Sequence, residues 1–373
     1  MLFRITARKN GGVARRYYSG ERLTEGAPVE FYGNLDLAFG YPLTWNDAPR
    51  LFEGRNPTTN EPLVRRRGGN HKSGWDMTFV APKTVSILWG LAPDDIREEI
   101  VDAHVAAVKE ALDAFLPKAA LVPRNVGEFL TGSFIFNHGM TRMLDPHLHS
   151  HVFLLNMAYA TGVVKGESDF EGTISHPAFR ALTLNYKWAK VAKDLYIASL
   201  AWRLATKGFP IARRGNIFEI PGLRSLEKEF STAGEIFRVK GMTPEDWARY
   251  KKDKDLSKSF GRLGTKWLSR ALGTGFDVNE FFSGIKPSTN QAGNGATTVS
   301  PGRIAPESID LWKIRYVARI WTLVARNLMG IANLEEIKKI SERLENEYRD
   351  KVIPYNRRHG QTAARDDVKE ISS

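Results

Sequence analysis

Apolar and polar positions alternate along the first eight residues, "MLFRITAR", in the two-residue rhythm of a strand, and Asn10-Gly11-Gly12 breaks it. "VARRYYSG" follows as a short helix ended by Gly20. Residues 21–74 are rich in Gly, Pro and Asn and read as loops with little regular structure. The rhythm of two returns at Trp75, Met77 and Phe79, a second strand, with "APK" as the turn after it. Between Asp94 and Leu116 apolar residues fall at Ile96, Ile100, Ala103, Ala107, Ala111 and Ala114, the spacing of one buried helix face. A second helix is predicted from about Pro177 to Lys207, with Leu184, Trp188, Val191, Leu195, Ala198 and Trp202 as its seam and Gly208 as its stop.

"FPIARRGNIFEIPG" reads as a hairpin turning at Gly215-Asn216, and residues 226–282 as charged, partly exposed helix. Ser, Thr, Asn, Gly and Pro then dominate from Gly284 to Pro306, the composition of a linker, before one or two helices (Ser308–Met329 and Asn333–Lys351) and a polar tail. Strands and helices mix without regular βαβ alternation and without an internal repeat. The expected fold class is therefore α+β: an antiparallel sheet with flanking helices, plus a C-terminal helical segment. The expected domains are residues 1–285, a linker at 286–306, and a helical segment at 307–373.

Charge adds a partner to this picture. The 373 residues carry 54 Lys and Arg against 42 Asp and Glu, a net charge of +12, which points to a polyanionic partner such as nucleic acid or an anionic membrane. No apolar run reaches the length of a bilayer span, so membrane insertion is not expected. The absence of cysteine excludes disulfides and thiolate metal sites and fits a reducing cytoplasm.

The candidate chemistry lies in "NHGMTRMLDPHLHSHVFLLN", which holds four of the eight histidines. Residues 133–137 and 149–159 read as two strands joined by a loop. Residues i and i+2 of a strand share a face, so His149 and His151 point together while Val152 and Leu154 point into the core. Antiparallel pairing brings in His138, eleven residues before His149. Three converging imidazoles make a metal site with open positions, and such donors suit Zn, Mn, Ni or Cu better than Mg. His147 has the same parity but follows Pro146 in the loop, where strand phase need not hold, so it is left out.

Two motifs, "GWDMTFVAPKTVSILWG" and "DPHLHSHVFLLN", resemble those of conjugative relaxases of the TrwC/TraI type, the MobF group of the HUH endonuclease superfamily. The family segment D-x-T-F-x-A-P-K-S-V-S is matched at Asp76, Thr78, Phe79, Ala81, Pro82, Lys83, Val85 and Ser86, with Thr84 in place of a serine. The family's D-P-x-L-H-x-H, with a further histidine eleven positions earlier, is matched at His138, His149 and His151. The resemblance extends over roughly residues 1 to 285.

The resemblance implies DNA nicking by tyrosine transesterification, with a 5′-phosphotyrosyl intermediate that keeps the bond energy for rejoining. The nucleophile is then Tyr17 or Tyr18 of "ARRYYSG", Tyr17 being the family's preference. Asp76 is carried over as the carboxylate that orients a histidine or takes a proton, and the cation as Mg or Mn. The second tyrosine pair of many relatives is missing; the next tyrosine is Tyr32, so a single-nucleophile cycle is the simpler expectation.

Basic clusters offer the DNA path: Arg65, Arg66, Arg67 and Lys72 before the Asp76 strand, and Arg213 and Arg214 at the hairpin tip, a shape suited to a DNA hairpin. Relaxosome accessory proteins and a coupling protein are further implied partners. No G-x-x-x-x-G-K-[ST] phosphate loop is present, so a separate helicase is expected. The competing readings are a rolling-circle replication initiator with the same chemistry, a metal hydrolase that needs no tyrosine, and a DNA-binding protein with a structural metal.

Overall fold

The computed structural model describes residues 2–8, 14, 29–64, 72–121, 128–141, 144–161, 179–231, 260–285, 309–314 and 316–354. Tyr17, Tyr18, Arg65, Arg66 and Arg67, the linker at 286–306 and residues 232–259 of the expected helical stretch lie outside them.

The described strands are β1 (Phe3–Arg8), β2 (Val29–Gly33), β3 (Gly74–Val80), β4 (Ala120–Leu121), β5 (Phe129–Leu130), β6 (Gly132–Met140), β7 (Pro146–Leu155), β8 (Ala158–Ala160), β9 (Phe179–Arg180), β10 (Thr183–Leu184), β11 (Ala212–Arg214) and β12 (Ile217–Glu219). The described α-helices are α1 (Ala48–Phe52), α2 (Lys83–Leu91), α3 (Asp94–Ala119), α4 (Ala189–Thr206), α5 (Phe260–Gly273), α6 (Val278–Ser283), α7 (Ala318–Leu328) and α8 (Leu334–Glu347). The mixture is α+β, as expected. The main sheet has five strands in the order β1-β3-β7-β6-β2. β1 runs antiparallel to β3, and β2 antiparallel to β6.

Two compact units make up the chain: Met1–Phe79, Leu116–His138 and His149–Ala189 form one, and Val80–Phe115, Gly139–Leu148 and Lys190–Ser373 the other. In the first, Phe134 and Phe136 of β6 and Phe153 and Leu155 of β7 are buried with Leu35, Leu51, Phe52 and Leu63. Trp45 closes that cluster, its ring 4.9 Å from Phe136 and 5.5 Å from Phe134 in edge-on contacts. The segment expected to be all loop thus supplies β2, a 3₁₀ turn at Leu35–Ala38 and α1, because its few apolar residues cover one face of the sheet.

In the second unit, Pro82 sits at the N-cap of α2 with extended backbone, and every α2 residue after Lys83 is buried. The helix expected from Pro177 begins instead at Ala189. Residues 179–184 pair as β9 and β10, and only the later part of the seam, Val191, Leu195 and Ala198, lies buried along α4. Gly208 ends the helical stretch with φ +87°, and Gly215 turns the β11–β12 hairpin with φ +61°. α7 is tied to α4 by an ion pair of Arg326 with the fully buried Asp194, at 3.1 Å. α8 starts at a capping box of Asn333 and Glu336.

α3 and α4 share a buried polar pair, His104 Nδ1 and the Tyr196 hydroxyl at 2.8 Å. Burial pushes the His104 imidazole down to about 3 and the Tyr196 phenol up. The unfolded chain protonates this histidine near its ordinary value, 6.5, whereas the folded chain refuses the proton until about 3. Stability therefore falls as pH drops from 6.5 toward 3, by up to ~1.4 kcal/mol per pH unit. Thermal unfolding at pH 7, 6 and 5 should show a shallower acid decline for His104→Gln than for wild type; parallel declines would refute this assignment.

Candidate active site

β6 and β7 are sheet neighbours joined by residues 141–145, too short a connection for a parallel crossover, so they form a hairpin. Both strands are longer than the sequence suggests. β7 begins at Pro146, which places His147 in strand phase with His149 and His151 after all. Up to His151 its residues alternate buried and half-buried. From Val152 to Leu155 all are buried, as a strand between two neighbours requires.

His138 on β6 and His149 and His151 on β7 come together. Their ring centroids are 5.1 Å (His138–His149), 5.4 Å (His138–His151) and 5.3 Å (His149–His151) apart. The first pair is nearly parallel, and the other two contacts are edge-on. On the other side of β7, β3 approaches closely at Gly74, where a Cβ would collide with the Leu154 carbonyl oxygen. That strand presents Asp76, whose carboxylate accepts a hydrogen bond from His151 Nδ1 at 2.9 Å. Thr78 Oγ1 lies 3.4 Å from the same nitrogen.

Arg8, the last residue of β1, ion-pairs with the other Asp76 oxygen. The β1–β3 register sets Arg8 opposite Gly74 and Thr6 opposite Asp76, so Arg8 and Asp76 share a face on a diagonal. Arg8 was not among the residues singled out from the sequence. Burial alone would raise the Asp76 carboxyl; hydrogen bonds and charges from His151 and Arg8 outweigh it and hold the group below the usual carboxylate range. Asp76 is therefore an ionised acceptor that keeps the His151 proton on Nδ1 and the lone pair on Nε2.

The donor set fits a divalent ion by its chemistry: three imidazoles side by side, one with its tautomer fixed by a carboxylate. As the side chains stand, no group of three His, Asp or Glu among the described residues is arranged to close on one ion.

The remaining predicted residues are placed less simply. Lys72 Nζ sits 4.1 Å over the Trp75 ring, and burial lowers its pKa. The Trp75 indole N–H donates to the hydroxyl of the half-exposed Tyr186, at 2.9 Å. Arg214 is held by Glu227 at 2.7 Å and Glu219 at 3.4 Å, whereas Arg213 is exposed and bonds the Gly215 carbonyl. Tyr32 lies in β2, paired with Ser133. No described helix is long and apolar enough to cross a membrane.

A five-stranded sheet presenting a histidine triangle beside an anchored carboxylate, on the motifs described above, defines a relaxase-type fold. Residues 5–239 match the family model of the TrwC relaxase, and the chain belongs to that family. Among curated proteins it is similar to the multifunctional conjugation protein TraI of Escherichia coli, 27% identical over 249 residues, and to that of strain K12, 33% identical over 120. These stretches cover 62% and 30% of this chain but only 14% and 7% of the relatives, so the chain spans a small part of their length. Among solved structures it is similar to the copper-bound conjugative relaxase TrwC in complex with OriT DNA, with a TM-score of 0.55 at 23% identity over 74% of this chain and 99% of that one. The metal-free complex of the same relaxase gives 0.54 with the same coverage. A further TrwC complex holds a 27-mer comprising the recognition hairpin and the cleavage site, with a TM-score of 0.52.

Proposed function

We propose that this chain nicks and rejoins one DNA strand at a transfer origin by tyrosine transesterification, starting conjugative transfer or mobilisation. The observation that carries this reading is the triangle of imidazoles on β6 and β7, anchored through His151 to Asp76, in a chain of the TrwC relaxase family. Residues 1–285 are read as the nicking-closing domain.

In the reaction the phenol oxygen of Tyr17 attacks phosphorus. A Tyr–O–P bond forms, the P–O3′ bond breaks, and the 3′ oxygen leaves with a proton as the tyrosine loses its own. Reversal by the same 3′-hydroxyl rejoins the strand. His138, His149 and His151 would hold a divalent ion, Mg or Mn in this reading, with Zn, Ni or Cu as further fits. Bound there, it would supply positive charge to the non-bridging phosphate oxygens. Asp76 is held too acidic to be an effective base near neutrality; its task is to fix the His151 ring.

The strand to be cut needs a cationic, aromatic path. Lys72 and the exposed Tyr186, whose hydroxyl accepts from the buried Trp75 indole, offer a cationic and aromatic surface in the first unit; in the second unit, Arg213 at the hairpin tip suits the double-stranded stem of an origin hairpin. Arg213→Ala should reduce the salt slope of origin-hairpin binding by about 0.9, one phosphate's share. Arg214→Ala, which removes a guanidinium committed to Glu227, should change the slope less. Binding isotherms at several salt concentrations would decide, and equal slopes for wild type and Arg213→Ala would remove that residue from the path. The protein is read as cytoplasmic, with relaxosome accessory and coupling proteins as partners and a helicase activity for unwinding.

The test is single-stranded origin DNA labelled at its 3′ end, incubated with protein and Mn²⁺ or Mg²⁺ and run on a denaturing gel. A slow band that protease collapses supports the reading. Cleavage to a free 5′-phosphate without that band would replace it with metal-dependent hydrolysis.

A further inference from the structure

We propose that Trp267 and Arg270 of α5 are positioning residues for the histidine pair, acting through the turn that leads into β7. The inference rests on the reading of His149 and His151 as metal ligands. α5 lies beyond the residues matched by the family model.

Leu144 stands in this turn with φ +58°, a left-handed conformation that a side-chain-bearing residue adopts at a cost. Backbone bonds from Leu144 N to Thr141 O (3.0 Å) and from Thr141 N to Asp145 O (2.9 Å) close the turn. Two side chains of α5 then grip it. The Trp267 indole N–H donates to the Leu144 carbonyl at 2.7 Å. That indole is fully buried, 5.8 Å from the Trp89 ring, so it cannot swing away. Arg270 donates to Asp145 Oδ1 at 2.8 Å, and the Asp145 side chain is 1% exposed. The same guanidinium bonds the Glu229 carboxylate at 2.8 Å and the Glu229 carbonyl, and lies 4.7 Å over the Phe230 ring.

The next residues are pinned in turn. Lys83 Nζ donates to the Pro146 carbonyl at 2.9 Å, Leu148 N donates to Ser86 Oγ at 3.1 Å, and Ala81 N donates to the Leu148 carbonyl at 3.0 Å. Leu144, Asp145, Pro146 and Leu148 are thus each tied to a neighbouring element, and the His147 side chain shares the face of the pair. His149 and His151 follow directly on the same strand, where a small twist upstream becomes a displacement of both rings. Relaxation of Leu144 to ordinary extended backbone would introduce that twist. The indole bond to its carbonyl and the Arg270 fork on its neighbour oppose it.

Ring NMR signals of the histidines in metal-free protein, together with Mn²⁺ titration calorimetry, test this. Trp267→Phe keeps the packed ring and removes the donor; Arg270→Lys keeps the charge and removes the fork. Both should shift the His149 and His151 ring signals while leaving that of His104 in place, and should weaken Mn²⁺ binding about 3- to 10-fold. Adding Leu144→Gly to Trp267→Phe should bring the ring signals back toward wild type, since glycine adopts positive φ without help. Unchanged His149 and His151 signals in both single variants would overturn the proposal, whatever their melting temperatures. Wild-type protein that binds no Mn²⁺ would overturn the metal reading, and the ring signals would still judge the positioning role.

Discussion

Tyr17→Phe protein is expected to form no covalent adduct with origin DNA, and cleavage should fall by at least about a thousand-fold, because in the proposed reaction the Tyr17 phenol oxygen is the atom that bonds phosphorus. Phenylalanine keeps the ring, so DNA affinity should stay within about threefold. Tyr18→Phe should retain the adduct. Both tyrosines follow β1, the strand whose last residue, Arg8, holds Asp76, and Tyr17 comes nine residues after it in the chain. The 3′-labelled gel assay separates the outcomes. Adduct retained in Tyr17→Phe and lost in Tyr18→Phe would move the nucleophile by one residue; adduct retained in both would end the role of this pair.

Asp76→Asn should weaken Mn²⁺ binding about 10- to 100-fold and lower the cleavage rate by two to four orders of magnitude, on the scale of losing a carboxylate that fixes a functional histidine. An amide presents an oxygen and an NH₂ group to His151, so the proton is no longer confined to Nδ1. It also removes the Asp76 charge from beside the Arg8 guanidinium. Affinity for the oligonucleotide should change little, which confines the loss to the reacting centre. Calorimetry with Mn²⁺ and single-turnover cleavage check both parts; unaltered Mn²⁺ affinity would show that the carboxylate does not orient a ligand. The wild-type carboxylate also stabilises the fold above its ordinary value of 3.8, a contribution lost as pH falls below that value. The acid loss from His104 begins higher, at 6.5.

The histidine triangle was legible because strand geometry has a period of two: His149 and His151 had to share a face, and a hairpin partner had to supply the third ring. Arg8 was not legible, since its meeting with Asp76 depends on the register between β1 and a strand more than sixty residues later. β2 escaped for another reason. Five residues, "VEFYG", inside a Gly- and Pro-rich segment carry too little pattern, and pairing with β6 decides their conformation. The first part of the seam proposed from Pro177 was misassigned because Leu184 and Trp188 are apolar at helical spacing, yet Thr183 and Leu184 pair with β4. The grip of α5 on the turn before β7 joins residues more than a hundred positions apart, and no local pattern announces it.

His138, His149 and His151 stand on the same sheet face as Phe134, Phe136, Phe153 and Leu155, since all of them keep one parity on their strands. The chemistry and the core are therefore written in a single reading frame. A residue inserted between His151 and Phe153 would send either the imidazoles or the aromatic rings to the wrong side, and burial of Phe153 would not permit the latter. Length cannot vary within the strands, so any chain that buries this core has already set its three histidines facing one another.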